Sequence, residues 1–440
     1  MRQTAENLNA AETAILVGVE IGRPNATDLD LEASLDELAF LAETAGIEVL
    51  GDLTQNLDSP NPKTYIGSGK LDELKGMAAE LGAKIVIFDE ELSPRHQREL
   101  EQELGREIKV LDRTALILDI FAQHASTREG MLQVELAQLQ YRLPRLTRAW
   151  THLARQAGGG GGRTGSVGGV GLRGPGEQQL EVDRREIKRK ISLLEDQIEK
   201  VRESRGRHRD QRRKSHIPVV SLVGYTNAGK STLLNTLSGA GIYAADKLFA
   251  TLDPTTRQLE LPSGQTILMT DTVGFIQKLP TQLVAAFRAT LEEIKEANLL
   301  LHVVDLSHPQ HGIQEWTVLE TLKEIGADQL PILTVYNKAD LVELDEIVAL
   351  RHDAGPNALV ISALTGEGIP TLLERISTEI YAGYELMDLL IPFNRGDLVS
   401  EFHEKGHVTA LEHQDNGVHI RGYLPEQVLA RYAPFKRRSK

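Results

Sequence analysis

The sequence predicts a multidomain α/β protein: an N-terminal α/β domain over 1–125, a basic helical hairpin with a glycine-rich tip over 126–214, a larger α/β domain over 215–383 and a small C-terminal α/β domain over 384–440. Three observations carry that reading. The 440 residues exceed what one hydrophobic core organises. Short apolar runs alternate with amphipathic stretches along most of the chain, as in parallel strands joined by helices. Five consecutive glycines, Gly158 to Gly162, separate two stretches of helical apolar spacing. Composition sets further bounds. Hydrophobic residues at 41% with 25% charged are globular proportions, which exclude a disordered or collagenous chain. No cysteine is present, so disulfides, thiolate metal sites and cysteine nucleophiles are excluded and a reducing compartment is expected. Apolar runs such as Ala14 to Val19 fall far below the roughly 18 residues of a membrane span, and Met1 to Ala10 is too polar for a signal peptide, so a cytoplasmic protein is expected.

In the first domain, apolar Ala14 to Ile21, amphipathic Leu31 to Ala45, Glu48 to Leu53, Leu71 to Leu81 and Lys84 to Asp89 alternate. Ile85-Val86-Ile87-Phe88 reads as a strand buried on both faces. Ser93, three residues before His96, reads as a helix N-cap. Tyr65-Ile66-Gly67-Ser68-Gly69-Lys70 mimics a phosphate loop, but Thr64 stands where glycine is needed and Leu71 where a metal-binding hydroxyl is needed, so it is rejected.

Leu132, Leu136, Leu139 and Leu143 mark one helical face, and Ile187, Ile191, Leu194, Ile198 and Val201 another. They predict an antiparallel pair. Between Tyr141 and Gly176 stand Arg142, Arg145, Arg148, Arg155, Arg163 and Arg173 with His152 and no Asp or Glu, and Arg205, Arg207, Arg209, Arg212, Arg213 and Lys214 follow the second face. In a chain of net charge −14 this is a segregated basic patch. Tyr141 and Trp150 among those arginines predict contact with RNA by phosphate pairing and base stacking, against the plainer reading of a solvated linker.

After the apolar run Pro218 to Val223 comes Gly224-Tyr225-Thr226-Asn227-Ala228-Gly229-Lys230-Ser231-Thr232, then an amphipathic stretch. This is a phosphate loop in its strand–loop–helix setting: backbone N–H groups cradle phosphates, Lys230 reaches the β and γ oxygens, and the Ser231 hydroxyl ligates Mg²⁺. The base is read elsewhere. Asn337-Lys338-Ala339-Asp340 ends the strand Pro331 to Tyr336, and Ser362-Ala363-Leu364 follows Ala358 to Ile361. The Asp340 carboxylate accepts from guanine N1–H and the 2-amino group, donors that adenine lacks, so GTP is favoured over ATP. Asn337 is expected to bridge to the phosphate loop, Lys338 to lie across the base, and the Ser362-Ala363-Leu364 backbone to meet O6. Asp271-Thr272-Val273-Gly274 follows the strand Thr266 to Met269, placing Asp271 for Mg²⁺ through water and the Gly274 N–H for the γ-phosphate. Within Phe249-Ala250-Thr251-Leu252-Asp253, Thr251 is the expected second Mg²⁺ hydroxyl, with Thr255 and Thr256 as rivals. Lys230, Thr251 and Gly274 are the expected catalytic contacts.

These motifs, Phe249 to Arg257 and Asp271 to Phe275 included, resemble those of the HflX GTPases, relatives of the Obg group. The resemblance extends to Arg173-Gly174-Pro175-Gly176-Glu177 and Tyr65 to Lys70 and so covers most of the chain. It implies a Ras-like GTPase domain, binding to the large ribosomal subunit and its rRNA, and action on stalled or stressed ribosomes, splitting them. Rival readings are a GTPase of ribosome assembly or RNA modification, and a protein-only signalling switch; no second catalytic constellation supports the former, and the arginines are left unexplained by the latter. Phe275 stands where many GTPases carry a water-orienting glutamine, so slow intrinsic hydrolysis stimulated by the ribosome is expected. Asn227 resembles the asparagine with which some related GTPases coordinate K⁺. The seam of the helical pair is short enough to close within one chain, so a monomer is expected. Gly396 to Glu404 reads as a helix, and His407 to Glu412 with Gly417 to Tyr423 as a hairpin around Asp415-Asn416-Gly417.

Overall fold

The computed structural model describes residues 12–22, 29–105, 107–146, 175–215, 217–239, 248–249, 254–262, 264–278, 294–353, 358–381 and 383–437, with side chains left out for 175–180, 202–215, 351, 353, 404 and 407. The chain divides into two compact units, Met1–Val201 with Gln277–Arg288, and Arg202–Ile276 with Ala289–Lys440.

The first unit is built on four parallel strands, β1 (Glu12–Ile21), β2 (Ile47–Leu57), β3 (Ile85–Phe88) and β4 (Lys109–Asp112), in the order β2-β1-β3-β4. Six consecutive residues of β1 are buried, because helices cover both faces of the sheet. α1 (Leu31–Thr44) and α4 (Arg113–His124) bury Leu38, Leu41, Ile117 and Phe121, while α2 (Ser68–Leu81) and α3 (Pro94–Leu104) bury Leu74 and Leu100 with Ile15, Val17 and Phe88. Ser93 caps α3 as expected, its Oγ accepting from the His96 N–H at 3.2 Å. Lys70, in the rejected loop mimic, lies in the first turn of α2 and pairs with Glu73.

Beyond the carboxyl end of β3, Asp89 is buried against the Arg113 guanidinium at 2.7 Å and the Ser34 hydroxyl at 2.7 Å, and Arg113 also pairs with Glu37. Lys278 completes this cluster, its Nζ donating to Asp89 and to Glu90 at 2.6 Å. Burial opposes the Asp89 charge, but Arg113 and Lys278 outweigh it and hold the carboxyl below its ordinary range. A parallel sheet ordered this way exposes its natural ligand crevice beyond the ends of β1 and β3. Here Lys278 meets acidic side chains there, while Gln277 Oε1 accepts from the Leu29 N–H at 3.1 Å.

α5 (Arg128–Arg145) packs Leu132, Leu136 and Leu139 against Ile187, Ile191, Leu194 and Ile198 of α6 (Pro175–Ser215), with Lys190 and Glu135 paired at 2.6 Å. The helical apolar spacing thus forms the pair it predicts. The role expected of Tyr141 is corrected. Its ring is buried, its hydroxyl donates to Asp112 at 2.8 Å, and Arg145 lies over it at 3.4 Å while donating to Leu92 O and Asp112. Neither is available to stack on a base, because both close the α5 end against β4. Arg142 is exposed. Arg148, Trp150, His152, Arg155, Arg163 and Arg173 lie outside the described residues.

The second unit holds a six-stranded sheet in the order β10-β9-β8-β5-β7-β6: β5 (Val219–Gly224), β6 (Thr255–Glu260), β7 (Thr266–Asp271), β8 (Leu299–Asp305), β9 (Ile332–Asn337) and β10 (Leu359–Val360). All pairs are parallel except β6 with β7. One face packs Val220, Leu222, Met269, Leu301 and Val335 against α7 (Lys230–Ser238) and α9 (Ile369–Ile380). The other places Ser221, Leu300 and His302 under α8 (His311–Glu324), which buries Val318 and Leu322. A three-stranded antiparallel sheet, β11 (Tyr384–Ile391), β13 (Gly417–Pro425) and β12 (His407–Gln414), follows, with Phe402 of α10 (Gly396–Lys405) packed on Tyr432. The hairpin turns at Asp415-Asn416 as its sequence predicts.

Candidate functional site

The site forms at the carboxyl ends of β5, β7, β8 and β9. β5 runs into the phosphate loop, and α7 begins at Lys230. Gly229 is left-handed at φ +89°, and a Cβ there would lie 2.2 Å from Asn337 Nδ2, so only glycine admits that side chain. Lys230 is buried inside the loop, its Nζ donating to the Tyr225 carbonyl at 2.7 Å and the Gly224 carbonyl at 3.1 Å. Burial pushes its pKa down to about 8, against the opposing charge of Asp271. A phosphate that displaces those carbonyls would meet a poorly solvated cation, where a charge-assisted hydrogen bond is strong. Thr226 Oγ1, in the same loop, is buried without a hydrogen-bond partner among the described residues, and Asn227 is left-handed at φ +60°.

Gly274 closes onto this loop: a Cβ there would lie 2.9 Å from the Thr226 Cα and 3.0 Å from Lys230 Nζ. Phe275 extends the contact, its N–H donating to Gly224 O at 3.1 Å and its carbonyl accepting from Thr226 N–H at 2.7 Å. Its ring is buried, so it can neither accept from nor donate to a water. Thr272 Oγ1 donates to Leu222 O at 2.6 Å, and Val273 is buried.

Ser231 Oγ donates to Asp271 Oδ2 at 2.6 Å, with Asp271 itself buried. A hydroxyl and a carboxylate in contact are the protein ligands that Mg²⁺ needs when phosphate oxygens and water supply the rest. Among the described residues no cluster of three His, Asp or Glu could hold a metal by itself. The donor set therefore fits a nucleotide-borne Mg²⁺. Thr251 lies outside the described residues, as do Ala250, Leu252 and Asp253; Phe249 is buried at φ +54°. The rivals Thr255 and Thr256 belong to β6, and Thr256 Oγ1 is hydrogen-bonded to Thr270 Oγ1 at 2.9 Å.

Asn337 joins the two loops: its Nδ2 donates to Ala228 O at 2.8 Å and its Oδ1 accepts from Ala363 N–H at 2.9 Å. Asp340 is exposed and accepts from Ser362 Oγ at 2.5 Å. Ser362 N–H donates to Glu367 O, so a contact to guanine O6 from Ser362 or Ala363 requires an existing bond to be shared or exchanged, and Leu364 is exposed. Lys338 is left-handed at φ +66°, precedes the short 3₁₀ turn Ala339–Leu341 and pairs with Asp305 at 2.7 Å. Thr236 of α7 donates to Ala363 O at 2.6 Å. Sequence reasoning missed Asp305 and Thr236. The one available signal for Asp305 was a lone acid ending the apolar strand Leu299 to Val304.

Three family models match in tandem: "GTP-binding GTPase N-terminal" over 32–122, "GTP-binding GTPase Middle Region" over 124–212 and "50S ribosome-binding GTPase" over 219–338. The GTPase HflX of Lacrimispora saccharolytica is 44% identical over 98% of both chains. The chain belongs to the HflX GTPase family. The Escherichia coli HflX is 44% identical over 91% of this chain and 90% of its own. A crystal structure of a GTP-binding protein from Sulfolobus solfataricus in complex with GDP is 27% identical over 84% of this chain and 98% of its own, at a TM-score of 0.42. As an HflX GTPase, the protein binds guanine nucleotide and hydrolyses GTP to GDP and phosphate. Among the described residues no helix is long and apolar enough to cross a membrane.

Proposed function

We propose that this HflX GTPase is a monomeric cytoplasmic factor that binds the large ribosomal subunit through rRNA and acts on stalled or stressed ribosomes, splitting them. The observation that carries the reading is the match of the nucleotide-site segment to a model described as a 50S ribosome-binding GTPase, in a chain whose arginines are segregated between Tyr141 and Gly176. In this account the domains are 1–125, 126–214, 215–383 and 384–440, and the arginines of the second neutralise rRNA phosphates. Loop N–H groups and Lys230 hold the phosphates, and Ser231, Thr251 and, through water, Asp271 are the residues that would hold Mg²⁺. A Mg²⁺ held there would supply positive charge against the phosphate oxygens as negative charge develops on them. Gly274 senses the γ-phosphate through its N–H, and Asp340 with Lys338 selects guanine.

Attack of water on the γ-phosphorus breaks the bond to the β–γ bridging oxygen, giving GDP, inorganic phosphate and a proton. Phe275 supplies no group to orient that water, so the ribosome completes the site; Asn227 is the residue that would hold K⁺ if a cation supplied the positive charge instead. Sedimentation of the full chain with purified subunits and a non-hydrolysable GTP analogue tests the partner: the protein should pellet with large subunits in the triphosphate state. Equal recovery in the supernatant with and without subunits would refute it.

A further inference from the structure

The carboxylate that ends β8 has no part in the contacts expected of a guanine-reading loop, yet it is fixed from both sides. Asp305 Oδ2 lies 2.7 Å from Lys338 Nζ, while Oδ1 accepts from the Ser307 N–H at 3.1 Å and the Ser307 hydroxyl at 2.6 Å. The backbone registers the pair: Asp305 stands opposite Asn337 in the parallel ladder, and the Leu306 N–H donates to Asn337 O at 3.0 Å. Lys338 is thereby offered to Asp305 directly after the last rung. The side chains are 13% and 23% exposed, so the pair is screened less than a surface ion pair. Lys338 also holds a left-handed backbone that a non-glycine residue adopts only when its surroundings impose it.

We propose that Asp305, braced by Ser307, is a positioning residue for guanine: by anchoring the Lys338 ammonium it fixes the lysine's four-carbon stem as a preformed wall for the base. A free lysine stem has to surrender its rotamer freedom when a base packs on it, whereas an anchored one has already done so. The effect therefore belongs to nucleotide affinity, equally for GDP and GTP, because both nucleotides carry the guanine that the stem would wall. This inference rests on the reading of Lys338 and Asp340 as the guanine contacts.

The test uses the full-length, nucleotide-free protein and fluorescent GDP and GTP analogues. Asp305→Ala is expected to weaken both nucleotides about tenfold, the scale of one lost charge-assisted hydrogen bond, with the loss falling on KM rather than kcat. Asp305→Glu should recover part of it. Lys338→Ala should lose as much, and Asp305→Ala combined with Lys338→Ala should bind no worse than Lys338→Ala alone. Parental affinity in Asp305→Ala, fully additive losses in the double variant, or a fall confined to kcat would overturn the proposal. Should Asp305→Ala fail to fold, Asp305→Asn, which keeps an acceptor for Ser307, carries the same expectation at a smaller loss, and parental affinity there overturns it equally. Asp340→Asn separates the two layers. If it turns preference to xanthosine triphosphate while Asp305 variants bind normally, only the positioning role fails; if guanine preference survives in Asp340→Asn, the base reading itself fails.

Discussion

His302 gives the sharpest stability prediction. It sits in the middle of β8 with no exposed surface, and neither ring nitrogen has a hydrogen-bond partner among the described residues. Burial first, and then the nearby Lys230 charge, push its pKa down from 6.5 to about 4. The unfolded chain therefore takes up a proton near pH 6.5 that the native state refuses until about pH 4, so stability falls as pH drops through that window and is unaffected above pH 7. The full displacement corresponds to about 3 kcal/mol, of which about 2 kcal/mol is felt at pH 5. His302→Leu, of similar volume and with no polar atom to bury, should remove this dependence and leave stability at pH 7.5 equal or slightly raised. Urea unfolding of nucleotide-free protein in a Trp150→Phe background, followed by the fluorescence of Trp316 on the overlying helix α8, measures the difference between the two proteins. Other titrating groups cancel in that difference. Parallel stability curves from pH 7.5 to pH 4.5 would show that His302 is not a buried neutral imidazole.

Three further outcomes follow from the site. Gly229→Ala forces a Cβ against Asn337 Nδ2 and a left-handed alanine, so it should lose at least about 1–3 kcal/mol of nucleotide affinity or stability, measurable by GDP titration and urea unfolding. Asp340→Asn should exchange guanine preference for xanthosine triphosphate, because an amide donates to the 2-oxo group and no longer accepts from the 2-amino group; competition binding checks it. Replacing Arg148, Arg155 and Arg163 by Ser should reduce the slope of log affinity for large subunits against log salt by about 2–3 while leaving GTP affinity intact, and an unchanged slope would make that segment a linker.

The parts legible in the sequence were those whose residue types and spacing are dictated locally. A phosphate loop has to place glycine where Asn337 approaches, and heptad-like spacing in Leu132 to Leu139 and Ile187 to Ile198 has to bury one face. The parts that were not legible depend on partners distant in sequence. Tyr141 and Arg145 read as RNA contacts because arginines and an aromatic share a basic stretch, yet tertiary burial against Asp112 and Leu92 claims both. Thr255 and Thr256 read as metal-ligand rivals because a threonine run sits near the switch, but an antiparallel edge strand absorbs them. Lys278 gave no local signal, since its partners Asp89 and Glu90 are nearly two hundred positions away. Asp305 carries no local signal beyond its place at the end of an apolar run, because the role proposed for it depends on Lys338 lying one residue beyond the opposing rung.

The central claim is a GTPase whose hydrolysis is completed by the ribosome, and steady-state phosphate release at saturating GTP tests it most directly. Phe275 is buried against the phosphate loop and cannot orient water, so the isolated protein should turn over slowly. Purified large ribosomal subunits should raise that rate at least tenfold, in K⁺ and in Na⁺ alike. Turnover by the isolated protein as fast as in the presence of subunits would contradict the account, and a rise produced by K⁺ alone would transfer the missing positive charge from the ribosome to Asn227.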